Sequence, residues 1–143
     1  MSQAGTVISV SVVVPLYRSR ATVVALYEAL RASLGQERFE ILFVDDHCPE
    51  SSSAVAEELA GKDARVRVVR LLRNVGQQRA VLFGLSAARG VHIVVMDADL
   101  QDDPAVVPVL LERARRGADA VFATRTGRYE SVPRLLTSRA FKR

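Results

Sequence analysis

The chain has 143 residues, of which 49% are hydrophobic and 25% are charged, which excludes a disordered protein and predicts one globular domain over residues 1–143. No apolar run approaches the roughly 20 residues of a membrane-spanning helix, and Met1 to Gly5 lack the basic segment of a signal peptide. The single cysteine, Cys48, excludes an internal disulfide and agrees with a reducing cytoplasm.

Strand and helix patterns alternate along the chain. Apolar runs predict strands at residues 8–14, 39–44, 66–72, 91–96 and 118–123. Amphipathic patterns predict helices at residues 20–34, 51–60, 77–88, 104–116 and 132–143. We expect Pro15 to end the first strand, Gly61 to end the second helix, and Pro108 to remove a hydrogen bond from the fourth. Strands joined by helices predict an α/β fold with a mostly parallel, Rossmann-like sheet, at least through the fourth strand.

The acidic segment that follows the fourth strand carries the strongest chemical signal. Asp97 and Asp99 would leave the carboxyl edge of the sheet, where open α/β folds bind their ligands. Two carboxylates about 5 Å apart repel by roughly 3 kcal/mol at an effective dielectric of about 20, so a divalent cation would stabilise them. Oxygen ligands in this spacing favour Mg²⁺ or Mn²⁺ shared with a substrate phosphate. The alternative is a solvated acidic loop that caps the next helix.

Polar residues also follow the other predicted strands. Tyr17 follows the first strand, Asp45 and Asp46 follow the second, and Asn74 and Gly76 follow the third. In a parallel sheet all these loops share one edge, where a tyrosine ring can face a base and carboxylates can accept from ribose hydroxyls. The glycine would allow a phosphate to approach a helix start. Taken singly, the tyrosine is also explained by packing and the glycine by a turn, but together they predict a nucleotide site.

Four motifs resemble family 2 glycosyltransferases of the GT-A fold: Val12-Val13-Val14-Pro15-Leu16-Tyr17, Val44-Asp45-Asp46, Arg73-Asn74-Val75-Gly76 and Asp97-Ala98-Asp99-Leu100-Gln101-Asp102. The resemblance covers residues 8–143 and is closest to the polyprenyl-phosphate branch, typified by dolichyl-phosphate mannose synthase and bacterial undecaprenyl-phosphate glycosyltransferases. It implies a metal-dependent, inverting transfer from a UDP- or GDP-linked sugar to polyprenyl phosphate, in cell-envelope polysaccharide synthesis. The implied location is cytoplasmic, at the inner face of the membrane.

The resemblance also implies a role for individual residues. Those at the nucleotide would be Pro15, Tyr17, Asp45, Asp46, Asn74, Gly76, Asp97 and Ala98. Those at the Mg²⁺ or Mn²⁺ would be Asp97, Asp99 and Gln101. Asp99, Arg125 and Arg139 would be catalytic, with the two arginines around the acceptor phosphate. The chain departs from the family pattern in two places: Arg18-Ser19 stands where Asn-Glu is usual, and His47-Cys48 stands where Gly-Ser or Asn-Ser is usual.

The basic end of the chain is a further pointer to the acceptor. Beyond residue 120 only Glu130 opposes six cationic side chains: Arg125, Arg128, Arg134, Arg139, Lys142 and Arg143. Such a segment suits phosphates, anionic lipids or nucleic acid, or is a solvated helix face. With the resemblance, we expect a lipid phosphate at a membrane surface and no nucleic acid.

Other classes of protein also place acids at the edge of a parallel sheet. A phosphate-receiving regulatory domain needs an acid pair after its first strand, and a dehalogenase-type phosphatase needs its Asp-x-Asp there, whereas this chain has them after the second and fourth strands. A nucleotide-binding fragment without turnover and a transferase acting on a glycan hydroxyl remain alternatives. The chain ends before the strands that would complete a GT-A domain, so we also expect an exposed apolar sheet edge and self-association.

Overall fold

The computed structural model describes residues 7–124, so Arg125, Arg139 and the helix predicted at residues 132–143 lie outside the described part. The elements are β1 (Val10–Leu16), α1 (Val23–Ser33), β2 (Phe39–Asp45), α2 (Ser52–Lys62), β3 (Val66–Arg70), α3 (Gln77–Ala87), β4 (His92–Val95), a 3₁₀ turn (Pro104–Val106) and α4 (Val107–Arg115). Within residues 7–124, no helix has the length and apolar character needed to cross a bilayer.

The four strands form one parallel sheet in the order β3-β2-β1-β4. The central pair, β1 and β2, runs in register from Val10 opposite Phe39 to Leu16 opposite Asp45, and every residue of both strands is buried. Burial on both faces explains their nearly continuous apolar sequences. The predicted parallel α/β sheet is therefore confirmed.

Helices cover the two faces of the sheet unequally. The larger core packs α1, α2 and α4 against one face, whereas α3 lies on the other face over β1 and β2. Gly84 allows this close approach, because a Cβ atom there would overlap the side chain of Val13. As a result, the first turn of α3 lies at the carboxyl edge of the central strands.

Three local predictions were wrong. Strand β1 continues through Pro15 to Leu16, and because β1 pairs with β4 only as far as Val13, the proline removes no ladder bond to that strand. Gly61 lies within α2 instead of ending it. Pro108 lies in the first turn of α4, where backbone N–H groups have no helical acceptor, so no hydrogen bond is lost.

The predicted strand at residues 118–123 is not formed. This segment instead forms one wall of a cavity of about 660 Å³ with β4 and α4. In the described part of the chain β4 is an edge strand, and its apolar side chains Ile93 and Val95 are 42% and 47% exposed. The exposed edge agrees with the expected self-association, which stays a prediction for light scattering over a range of concentrations.

Candidate active site

A cavity of about 460 Å³ lies at the carboxyl edge of the sheet. It brings together residues from the ends of all four strands, although they are up to 84 positions apart in the chain. They are Pro15, Leu16, Tyr17, Ser19, Asp46, Asn74, Gly76, Gln77, Asp97, Ala98 and Asp99. The structure therefore assembles seven of the eight residues predicted at the nucleotide, and only Asp45 does not line the cavity.

Asp46 connects the end of β2 to the turn before α3. It is 3% exposed, and its two carboxylate oxygens accept hydrogen bonds from the backbone N–H groups of Val75 at 2.7 Å and Gly76 at 3.0 Å. The Asn74 side chain accepts a second bond from the Gly76 N–H at 3.2 Å. Gly76 has a φ of +88°, a conformation that other residues rarely adopt. These bonds hold the turn against the cavity.

Asp45 has a different environment from its neighbour. Its Oδ1 accepts a hydrogen bond from the Cys48 N–H at 2.9 Å, and its Oδ2 lies 3.9 Å from Nε of Arg70. The side chain is 4% exposed and faces the loop after β2. The two acids therefore differ in position: Asp46 borders the cavity, while Asp45 stabilises the loop beside it.

The acidic segment after β4 presents two carboxylates to the cavity. Gln77 donates from Nε2 to Oδ1 of Asp97 at 2.6 Å, and the backbone N–H of Gln101 donates to Oδ1 of Asp99 at 3.0 Å. Leu100 between them has a φ of 60°, which folds the segment into a tight turn. Gln101 lines the neighbouring cavity beside β4, and its role as a metal ligand stays a prediction.

The same segment also caps a helix, as its alternative interpretation proposed. Asp103 accepts a hydrogen bond from the backbone N–H of Ala105 at 2.9 Å, at the start of the 3₁₀ turn that leads into α4. Pro104 occupies the first position, where its missing N–H is of no consequence. The segment thus serves two purposes, with Asp97 and Asp99 facing the cavity and Asp103 stabilising the helix.

The residues of the cavity fit a shared metal ion better than a protein-made cage. Within residues 7–124, no group of three or more His, Cys, Asp or Glu side chains is placed to hold a metal. Asp97 and Asp99 supply two carboxylates to one wall. Mg²⁺ in nucleotide sites is typically bound by one or two carboxylates, with water and substrate phosphates completing its shell. The donor set therefore suits Mg²⁺ or Mn²⁺ bound together with a diphosphate.

Tyr17 provides an aromatic surface to the same cavity. Its side chain is 47% exposed, and the guanidinium carbon of Arg18 lies 5.5 Å from the centre of its ring. An exposed ring beside a cation is a suitable surface for a planar base.

Three cavity residues were not among the predicted site residues: Leu16, Ser19 and Gln77. Ser19 was noted only as a departure from the family pattern, and Gln77 was noted only as a helix start. The position of Gln77 directly after Gly76 is a signal that could have found it, because the first turn of a helix following a cavity glycine faces the same edge. Arg125 and Arg139 lie outside the described residues, so their predicted acceptor role stays a prediction.

Comparison with known proteins supports the resemblance. Residues 11–140 match the family described as Glycosyl transferase family 2. An undecaprenyl-phosphate 4-deoxy-4-formamido-L-arabinose transferase of Pseudomonas paraeruginosa is 40% identical over 134 residues, covering 91% of this chain and 39% of the relative. A dolichol-phosphate mannosyltransferase of Pyrococcus furiosus is 36% identical over 127 residues, covering 87% of this chain and 36% of the relative.

A solved structure shows the same fold. The crystal structure of S. aureus TarS 1-349 in complex with UDP-GlcNAc superposes with a TM-score of 0.58 at 19% identity, covering 86% of this chain and 39% of that one. The predicted GT-A fold is therefore confirmed for the described residues. The chain spans less than two fifths of the length of these proteins. By the family match over residues 11–140, the chain belongs to glycosyltransferase family 2.

Proposed function

We propose that residues 1–143 form one nucleotide-sugar-binding unit of a metal-dependent, inverting glycosyltransferase that acts on polyprenyl phosphate. The observation that carries this proposal is the cavity in which Tyr17, the Asn74–Gly76 turn and the Asp97/Asp99 pair meet. An aromatic surface, a phosphate-compatible helix start and a pair of carboxylates are the three parts that a nucleotide diphosphate needs.

The cavity supports a definite orientation of the donor. The base would lie at Tyr17, and the diphosphate would lie between the first turn of α3 and the carboxylates of Asp97 and Asp99. Bound there, Mg²⁺ or Mn²⁺ supplies charge neutralisation for the departing nucleotide. Gln77 holds Asp97 in place through its hydrogen bond to Oδ1. These residues bind and orient the donor.

The chemistry of the acceptor explains why no general base is needed. An oxygen of polyprenyl phosphate is already anionic near neutral pH, so it can attack the anomeric carbon directly. The new bond joins that carbon to the phosphate oxygen as the bond to the nucleotide diphosphate breaks, and the configuration inverts. Among residues 7–124 neither histidine lines the donor cavity.

The relatives and the charge of the chain support the choice of acceptor. Two relatives are named for undecaprenyl phosphate and dolichol phosphate. The basic segment beyond residue 120 suits an anionic leaflet, where each basic residue contributes about 1 kcal/mol. We therefore propose a location at the cytoplasmic face of the membrane and place Arg125 and Arg139 at the acceptor phosphate.

Calorimetry with UDP and GDP, each with and without Mn²⁺, tests donor binding. We expect one nucleotide to bind and its affinity to fall on chelation of the metal. Equal affinity after chelation would contradict the assignment of a metal ion. If neither nucleotide bound, the assignment of a donor site would be contradicted.

A transfer assay with the full-length protein tests the acceptor. Radiolabelled UDP- and GDP-sugars are supplied with polyprenyl phosphate or with free glycans, and we expect label in the lipid only. Transfer to a glycan hydroxyl alone would refute the lipid acceptor and keep the glycosyltransferase. Donor binding without any transfer would identify a nucleotide-binding protein that does not turn over.

A further inference from the structure

The loop that carries Tyr17 leaves β1 in a conformation that needs support. Arg18 has a φ of 53°, in the left-handed region that residues with a Cβ atom seldom adopt. The loop is nevertheless part of the cavity wall, because Tyr17 and Ser19 on either side of Arg18 both line it. The bond from Ser19 Oγ to the Tyr17 carbonyl at 3.0 Å stabilises the loop from within, and further contacts come from outside it.

Two side chains from another part of the chain provide this support. The Arg18 N–H donates a hydrogen bond to Sγ of Cys48 at 3.1 Å, and the Ser19 N–H donates one to Oγ of Ser52 at 3.1 Å. Sγ and Oγ are themselves 3.2 Å apart, in hydrogen-bond contact. Two adjacent backbone donors of the cavity loop are thus satisfied by one thiol–hydroxyl pair.

The pair is in turn anchored to the sheet. The Cys48 N–H donates to the buried Asp45 carboxylate at the end of β2, and Ser52 is fully buried as the first residue of α2. Asp45 does not line the cavity, but it is connected to the cavity loop through its hydrogen bond with the Cys48 N–H. The route from β2 to the cavity loop runs through Cys48 and Ser52.

We propose that Cys48 and Ser52 are positioning residues for the nucleotide base, which act by clamping the Arg18–Ser19 backbone so that the Tyr17 ring faces the cavity. This inference rests on the proposed nucleotide site, since it assigns the base to Tyr17. The thiol stands at the position where the family pattern has serine, so the clamp uses sulfur where a hydroxyl is usual. It also makes the base site sensitive to thiol-reactive compounds, because modification of the thiol would disrupt its contact with the Arg18 N–H.

The protonation behaviour of the thiol agrees with this arrangement. Burial raises the pKa of Cys48, but hydrogen bonds with Ser52 and with the Arg18 backbone outweigh it, so the pKa of the thiol is lowered. Donors directed at the sulfur stabilise its electron-rich form, which strengthens its role as an acceptor.

The experiment compares Cys48→Ala, which removes the acceptor, with Cys48→Ser, which restores one, in the full-length protein. The nucleotide used is UDP or GDP, whichever binds the unmodified protein. Loss of one hydrogen bond in Cys48→Ala should weaken its binding by about five- to tenfold, whereas the affinity of Cys48→Ser should stay within about twofold of that of the unmodified protein. Ser52→Ala should resemble Cys48→Ala. In turnover, KM for the donor should rise while kcat changes little.

Hydrogen exchange of the backbone tests the clamp without any nucleotide. The amides of Arg18 and Ser19 should exchange about tenfold faster in Cys48→Ala and near the original rate in Cys48→Ser. Ser33→Ala is the matched control, because Oγ of Ser33 donates to the Ala29 carbonyl within α1 at 2.9 Å and its loss should leave exchange and affinity unchanged. If neither nucleotide binds but exchange accelerates, the clamp stands and the nucleotide assignment fails.

Alkylation gives an independent readout. Iodoacetamide should modify the peptide that contains Cys48 more slowly when nucleotide is bound, and prior modification should weaken nucleotide binding; mass spectrometry follows both. Unchanged affinity and exchange in Cys48→Ala would overturn the proposal. Equal losses in Cys48→Ala and Cys48→Ser, together with a lower Tm, would overturn it as well, because they would indicate a purely structural role.

Discussion

Acids lie at both the amino and the carboxyl edge of the sheet, but their surroundings differ. At the amino edge, Glu40 is 2% exposed and accepts hydrogen bonds from Ser11 Oγ at 2.6 Å, Arg67 Nη1 at 2.9 Å and the Arg89 N–H at 2.8 Å. At the carboxyl edge, Asp97 and Asp99 stand on the wall of a cavity. The Glu40 carboxylate is enclosed and bonded by the protein, whereas Asp97 and Asp99 border a cavity.

The difference shows how to tell a structural acid from a functional one. A buried carboxylate surrounded by donors stabilises the fold, because its charge is compensated by the protein itself. Carboxylates gathered at a cavity repel each other and gain most from a cation brought in with a ligand. Burial alone does not separate these cases, since Asp46 at the carboxyl edge is also buried and bonds two backbone N–H groups.

The largest expected effect comes from removing the acid at the amino edge. Glu40→Ala should lower the free energy of unfolding by about 3 kcal/mol, because it removes the buried counter-charge of Arg67 and leaves the Arg89 N–H with Ser11 Oγ as its acceptor. Urea denaturation measures the change. Glu28→Ala, at an exposed pair with Arg31, is the control and should change stability by less than about 0.5 kcal/mol. A loss at Glu40 no larger than that of the control would contradict the comparison.

The next effect concerns the carboxyl edge. Asp99→Asn should weaken metal-dependent nucleotide binding by about tenfold or more, because it removes a charge from the wall shared with the cation. Its stability should be unchanged, since asparagine keeps the oxygen that accepts from the Gln101 N–H. Calorimetry and thermal unfolding measure the two quantities. Asp103→Asn also removes one negative charge, but outside the donor cavity, and this variant should bind nucleotide as the unmodified protein does. Similar losses in both variants would mean that only overall charge matters.

A smaller effect separates the two purposes of the acidic segment. Asp103→Ala should destabilise the protein by about 1 kcal/mol, because the Ala105 N–H at the start of the turn loses its cap. Nucleotide affinity should remain within about twofold. Denaturant melts and calorimetry on the same preparation measure both, and a large drop in affinity with no change in stability would reverse the assignment.

The smallest effect is a change in how the stability of the protein depends on pH. Burial raises the pKa of Glu40, but its bonds to Ser11, Arg67 and the Arg89 N–H outweigh burial and lower the pKa below the ordinary 4.5. A lowered pKa in the folded state means stability that is present above pH 4.5 and lost as the pH falls through the folded value. Glu40→Gln should therefore show a shallower loss of stability on acidification than the unmodified protein. Parallel curves for the two proteins would contradict the assigned pKa.

Much of this architecture was predictable from local patterns. The order of four strands and four helices, and the polar groups at the strand ends, followed from apolar runs and capping residues. The carboxyl ends of parallel strands share one edge for geometric reasons, so Tyr17, Asp46, Asn74 and Asp97 were predicted together and are found together. The error at Pro15 came from a feature that depends on neighbouring strands, because the proline is tolerated where β4 has already left the ladder.

Only the tertiary structure decided how the polar groups are paired. The sequence determined that acids follow β2 and β4, but not that Asp46 bonds the turn before α3 while Asp45 bonds the loop carrying Cys48. These partners come from segments whose distance in the chain says nothing about their contact in space. Register, the close approach of α3 at Gly84, and hydrogen bonds between loops arise only when the strands have been aligned, because each depends on side chains from several elements at once.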